Sequence, residues 1–134
     1  MVTVDLPPEP KSATRARTLT RDYLQSVCPP EAIEIAALLI TELVTNAVLH
    51  ARTPIVVVIE SSPGTVFLAV NDEAATEPIA RDYAIDAATG RGIKLVRELS
   101  TRWGVDRSGD GKRVWCEITF PTSAESRADG GAGK

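Results

Sequence analysis

The stretch from Glu31 to His50 or Ala51 constrains this chain more than any other. Ile35, Leu38, Leu39, Ile40, Leu43, Val44 and Val48 make it apolar nearly all round, and Pro29 and Pro30 bound it upstream. A helix of that kind needs cover on several sides, so it marks the centre of a core. Glu42, Asn46 and His50 are set into it four residues apart, which places them on one stripe. A carboxylate and an amide in such surroundings cost desolvation free energy unless something satisfies them. Spacing alone leaves two readings. In one, Asn46 bonds a neighbouring loop backbone and Glu42 pairs with an arginine. In the other, Asn46 offers its carbonyl oxygen to a hard cation such as Mg²⁺, and Glu42 acts as general base on a hydroxyl.

The rest of the chain arranges itself around this helix. Residues 1 to 11 carry Pro7, Pro8 and Pro10 and read as a flexible, extended leader, with Val2 to Leu6 as a candidate short strand. Ser12 is the expected N-cap of a helix to about Val27, with Ala16, Leu19, Tyr23, Leu24 and Val27 on its apolar side. Ile55 to Glu60 and Thr65 to Asn71 form a β pair about Ser62-Pro63-Gly64. Asp72 to Thr89 is polar and non-periodic, a length without regular structure that is usually functional. Gly90-Arg91-Gly92 then opens a helix over Ile93 to Leu99. Thr101 to Arg107 and Arg113 to Phe120 make a second β pair about Ser108-Gly109-Asp110-Gly111. In its last strand Val114, Cys116, Ile118 and Phe120 alternate with Arg113, Trp115, Glu117 and Thr119. From Pro121 to Lys134 the composition is that of a disordered tail. The order α-α-β-β-loop-α-β-β predicts a two-layer α/β (α+β) sandwich, a mixed but mainly antiparallel sheet with helices on one face. One domain over residues 12 to 120 is expected.

Composition removes several classes of function. The chain has 134 residues, a net charge of −3 and 4% aromatic residues. Neither the basic surface of a nucleic-acid binder nor a base-stacking platform is present. Cys28 and Cys116 form no CxxC and no Cys/His cluster, which excludes a structural zinc site and points to reduced, cytoplasmic thiols. The apolar stretch carries Glu34, Glu42, Asn46 and His50, so no membrane span is expected. Met1 is not followed by the basic flank and apolar core of a signal peptide.

Two further segments carry candidate chemistry. Asp72 ends a strand and opens a loop, as a turn former or as an acceptor for an exocyclic amino group. Gly90-Arg91-Gly92 at a helix start is either a tight turn or a place where backbone N–H groups meet phosphate, aided by the helix dipole.

Taken together, these segments resemble the GHKL ATPase/kinase superfamily with its Bergerat fold. Glu42 to Ala51, ELVTNAVLHA, is similar to its N-box, Val70-Asn71-Asp72 to the start of its G1 box, and Thr89 to Val96 to its G2 box and lid. Arg102-Trp103-Gly104 and Gly111-Lys112-Arg113-Val114-Trp115 resemble the closing segment of its actinobacterial members. The likeness runs from Ser12 to Phe120 and is nearest to the anti-sigma-factor serine/threonine kinases. It implies Mg²⁺ and ATP as cofactors, with Glu42 as catalytic base and Asn46 as Mg²⁺ ligand. It also implies that Asp72 binds adenine and that Gly90, Arg91, Gly92 and Ile93 contact phosphate. His50 would approach phosphate or serve the helix C-terminus, where positive charge is favoured. Implied partners are a sigma factor or a STAS-type anti-anti-sigma protein, and homodimers are common in that branch. Two positions depart from the pattern. No glycine follows Asp72, and Arg113 stands where relatives often carry Thr near the adenine. These departures keep open a second function, a protein-binding module that senses nucleotide or binds none.

Overall fold

The computed structural model of the chain describes residues 1–50, 53–73, 91–108 and 111–122, without the side chains of 91–93 and 108. Five strands form one sheet: β1 (Val2–Leu6), β2 (Ile55–Ser62), β3 (Thr65–Asp72), β4 (Arg102–Ser108) and β5 (Gly111–Thr119). Their order is β1-β2-β3-β5-β4, and every pairing among the described strands is antiparallel. The expected α+β sandwich with a mainly antiparallel sheet is thus found, and the described strands pair antiparallel without exception. Pro63 and Gly64 alone join β2 to β3, with Ser62 facing Thr65. Proline fixes φ at the first central position, and Gly64 takes φ +80° at the second, the arrangement of a type II turn.

The leader is part of the domain. Val2–Leu6 pair residue for residue with Ile59–Ile55, and Leu6 is 1% exposed within the core. The alternation of Val2, Val4 and Leu6 supplies the reason: one side of this segment has apolar surface to bury. Val2–Leu6, expected as a flexible leader, is thus an ordered strand of the sheet.

Among the described residues three helices cover one face: α1 (Lys11–Leu24), α2 (Pro30–His50) and α3 (Arg91–Leu99). Ser12 does not cap α1. Pro10 takes the N-cap place with φ −57°, already helical, and the Ser12 hydroxyl donates instead to the Pro7 carbonyl at 2.6 Å. The helix also ends at Leu24, three residues before the expected Val27, which is left exposed. In α2, Leu39, Ile40, Leu43 and Val44 are fully enclosed and pack with Val57, Ile59, Val66, Leu68, Val70 and Cys116 of the sheet. By length and composition α2 could cross a membrane, but eight of its residues are buried inside the domain, so it is a core helix. On α3, Val96 is buried and Leu95 half-buried, which fixes its packing side.

The opposite face of the sheet carries no described helix. Phe67 and Trp115 stack there at 6.0 Å between centroids, with Arg113 over Phe67 and Arg102 over Trp115. The expected loop 74–89, the turn residues 109–110 and the tail from 123 lie outside the described residues.

Candidate functional site

The helix α2 brings Glu42, Asn46 and His50 onto one stripe of its C-terminal half, all three half-buried. Helical spacing accounts for this, since side chains at i and i+4 stack along one face. Neither Glu42 nor Asn46 makes a side-chain hydrogen bond or ion pair with any described residue. The purely structural pairings, Glu42 with an arginine and Asn46 with a loop backbone, are therefore not made among the described residues. An oxygen-bearing carboxylate and amide stand side by side with open hydrogen-bonding capacity. His50 closes the helix as the basic residue of its last turn.

Topology carries the end of α2 to Asp72. Four residues separate His50 from Ile55, the first residue of β2, and Ile55 is the cross-strand partner of Asp72. Thr53 ties this edge together, its hydroxyl accepting from the Glu73 N–H at 3.0 Å. Asp72 itself is 5% exposed and lies on the helix-covered face, in line with Val66, Leu68 and Val70. Of the two readings that sequence leaves open, turn former or acceptor for an amino group, a buried carboxylate at a strand end suits the second better. On its other side Asp72 faces Lys112 across β3 and β5. Gly111 makes that approach possible, because a Cβ there would lie 2.5 Å from the Asp72 carbonyl oxygen.

Lys112 is the residue that sequence reading missed. The signal was present: alternation through Val114, Cys116 and Ile118 continues back to Lys112 and not to Arg113. Arg113 points away. Its Nε donates to Asn71 Oδ1 at 2.8 Å on the open face of the sheet, beside Phe67. The second departure from the family pattern thus lies on the far side of the sheet from Asp72.

The helix α3 begins at Arg91, two residues earlier than expected, so Gly92 sits inside its first turn. The first N–H groups of a helix have no intrahelical acceptor, and they carry the positive end of its dipole. Here those donors belong to Arg91, Gly92 and Ile93. The other end is anchored at a distance from Asp72: Leu99 leads to Thr101, whose N–H donates to the Glu117 carbonyl at 2.7 Å. Glu117 faces Phe67, five residues back along β3 from Asp72. The first turn of α3 is the end away from that anchor. Gly90 and the side chains of Arg91 and Ile93 lie outside the described residues. A groove of about 870 Å³ between the α1–α2 turn and the β2–β3 turn, lined by Cys28, Pro29, Pro63 and Phe120, contains none of these residues.

Comparison with known proteins gives the family and the fold. The profile of the histidine kinase-like ATPase domain family matches residues 6–118. The chain belongs to that family, within the GHKL superfamily, whose domains bind ATP. Among solved structures it is similar to the histidine kinase domain of the Erythrobacter litoralis EL346 blue-light activated histidine kinase, with a TM-score of 0.51 and 22% identity. That match covers 85% of this chain and 61% of the other, and at this identity it speaks for the fold. No curated protein matched.

Proposed function

We propose that the chain is an ATP-dependent serine/threonine protein kinase of the anti-sigma type, acting on a hydroxyl of a STAS-type partner and also binding a sigma factor. The observation that carries this reading is the pair Glu42 and Asn46, half-buried on one stripe of α2 with no described hydrogen-bond partner. Groups in that state fit a ligand that supplies what the protein does not. Asn46 is the residue to hold Mg²⁺ through its side-chain oxygen, and the ion would offset the charge of the triphosphate. Asp72 accepts from the adenine amino group, with Lys112 beside it on β5. The N–H groups opening α3 receive phosphate oxygens. Glu42 orients the partner's hydroxyl and takes its proton as the oxygen bonds the γ-phosphorus and the bond to the departing ADP oxygen breaks. Most of the rate would come from positioning and electrostatics. A binding module without catalysis is the competing reading. The orientation of Arg113 removes one of its two supports, since that side chain does not share a face with Asp72.

The test is ATP titration with and without Mg²⁺, on the natural chain and on Asn46→Ala. The natural chain is expected to bind more tightly with Mg²⁺, and the variant to lose that difference. Absence of nucleotide binding by the natural chain overturns the reading. Transfer of labelled γ-phosphate to a STAS protein, abolished in Glu42→Gln with binding retained, separates a kinase from a nucleotide sensor.

A further inference from the structure

Glu42 belongs to two lines of side chains on α2, and the lines fork at that residue. Glu42, Asn46 and His50 follow one another at intervals of four, and each such step turns about 40° past a full circle. This first line therefore drifts round the helix and ends on half-buried His50. Leu38, Glu42, Thr45 and Leu49 are spaced four, three and four, which keeps them in one line along the outer side. Both ends of the second line are exposed, Leu38 at 39% and Leu49 at 55%. Every other large aliphatic residue of α2 is buried or half-buried, and neither of these two leucines joins the core. A single exposed leucine is ordinary on any protein surface. Two on the line of one carboxylate, one to each side of it, form a pattern that packing within the chain does not account for.

The polar groups along this line divide into used and unused. Glu34, one turn before Leu38, is held by Arg21 at 2.9 Å. The Thr41 hydroxyl donates to the Ala37 carbonyl at 2.7 Å. Glu42 and Thr45, between the two leucines, make no side-chain hydrogen bond with any described residue.

The role of Glu42 decides what covers the line. A hydroxyl whose proton Glu42 takes must come within about 3 Å of the carboxylate. In the kinase reading that hydroxyl belongs to another protein, so the segment carrying it crosses α2 at Glu42. Along the helix axis Leu38 lies about 6 Å to one side and Leu49 about 10 Å to the other. An extended segment advances about 3.3 Å per residue, so residues two and three places from the hydroxyl arrive over the leucines. Apolar side chains at those places would take both leucines out of water. Acidic ones would face Glu42 and the triphosphate, where like charges repel. The open Thr45 hydroxyl can bond the backbone of the same segment.

We propose that Leu38 and Leu49 select the protein substrate, seating a segment whose accepting serine or threonine has apolar residues two to three places to either side, a seat that presupposes Glu42 as the base of a protein kinase.

The experiment follows transfer of labelled γ-phosphate from ATP with Mg²⁺ to a STAS protein by the full natural chain, Leu38→Gln and Leu49→Gln. Glutamine suits a helix and adds no charge beside Glu42. Each variant should raise KM for the STAS protein about 10-fold while its Kd for ATP stays that of the natural chain. Val27→Gln, at an equally exposed position beyond the end of α1, should change neither. Circular dichroism checks folding, and Leu38→Ala or Leu49→Ala replaces a variant that does not fold. On the other partner, aspartate set two or three places from the phosphorylated residue, once mass spectrometry has located it, should also raise KM. If the natural chain transfers no phosphate, the kinase reading falls and the seat with it. If transfer is intact and both leucine variants keep the natural KM, the seat alone is overturned. Variants that lose affinity for ATP overturn it too, since the leucines would then serve the nucleotide.

Discussion

The two faces of the sheet are built from the same strands but by different chemistry. Along β5, Cys116 and Ile118 point inward among aliphatic side chains of α2 and β3, sealed from water. Trp115 and Glu117, one residue away, point outward among aromatic rings and arginines that keep some exposure. The inner face is held by close packing, in which volume lost is stability lost. The outer face is held by stacking and screened charge, which contribute little to the stability of the fold. The domain thus separates the surface that makes it stable from the surface that it presents.

The largest effect expected on that contrast is at Leu68, fully enclosed on the inner face. Leu68→Ala should cost about 3–4 kcal/mol in urea unfolding, whereas a loss near that of a surface site would show that the inner face is not tightly packed. Next is Gly104→Ala, whose Cβ would meet the Trp115 ring at 2.8 Å. It should lower stability by about 1–3 kcal/mol and shift the tryptophan emission as the indole lifts away. An unchanged spectrum would mean that Trp115 is not lodged on Gly104.

Cys116 sharpens the comparison through pH. Burial, with a smaller contribution from Glu117, pushes its thiol up to about 12. The unfolded thiol ionises from about pH 8.5, so above that point the unfolded chain binds fewer protons than the folded one. The group therefore leaves stability unaffected below about pH 8.5 and lowers it as pH rises, by up to about 1.4 kcal/mol per pH unit. Cys116→Ala should flatten this alkaline slope. In the same range a thiol reagent should label half-buried Cys28 and spare Cys116 until the chain unfolds. The smallest effect belongs to the rim. Arg102→Ala removes an exposed guanidinium 3.5 Å from Glu117 and should leave the melting temperature of the chain unchanged within error.

Much of this fold was legible in the sequence because its signals were periodic. The all-round apolar run produced α2 within a residue of its observed start, and β-branched runs produced β2 and β3. What misled was local chemistry read without its neighbours. Ser12 has the side chain of a cap, but proline at position 10 had already set a helical φ, so the helix starts earlier and the hydroxyl turns to Pro7. Arg113 was set near the adenine by the resemblance alone, as the position where relatives often carry Thr. A strand reverses sides at every residue, so alternation puts Lys112 on the face of Asp72 and Arg113 on the reverse. The stripe Glu42, Asn46 and His50 was legible in full, because helical spacing alone decides it. That Glu42 pairs with no arginine among the described residues was not, since such a pairing depends on elements distant in sequence.

The strand Val2–Leu6 has a practical consequence. The family profile begins at residue 6, so a fragment cut to the profile would lose β1 almost entirely. That cut would leave Ile55 to Ile59, a run of five consecutive β-branched residues, with its backbone donors and acceptors bare along one side. An unprotected hydrophobic edge of this kind recruits other strands, and aggregation follows. In the whole chain the outermost position is held by a strand that is five residues long, carries Asp5 and runs into Pro7 and Pro8, three features that discourage further strand addition. Those first residues act as the guard of the sheet's margin.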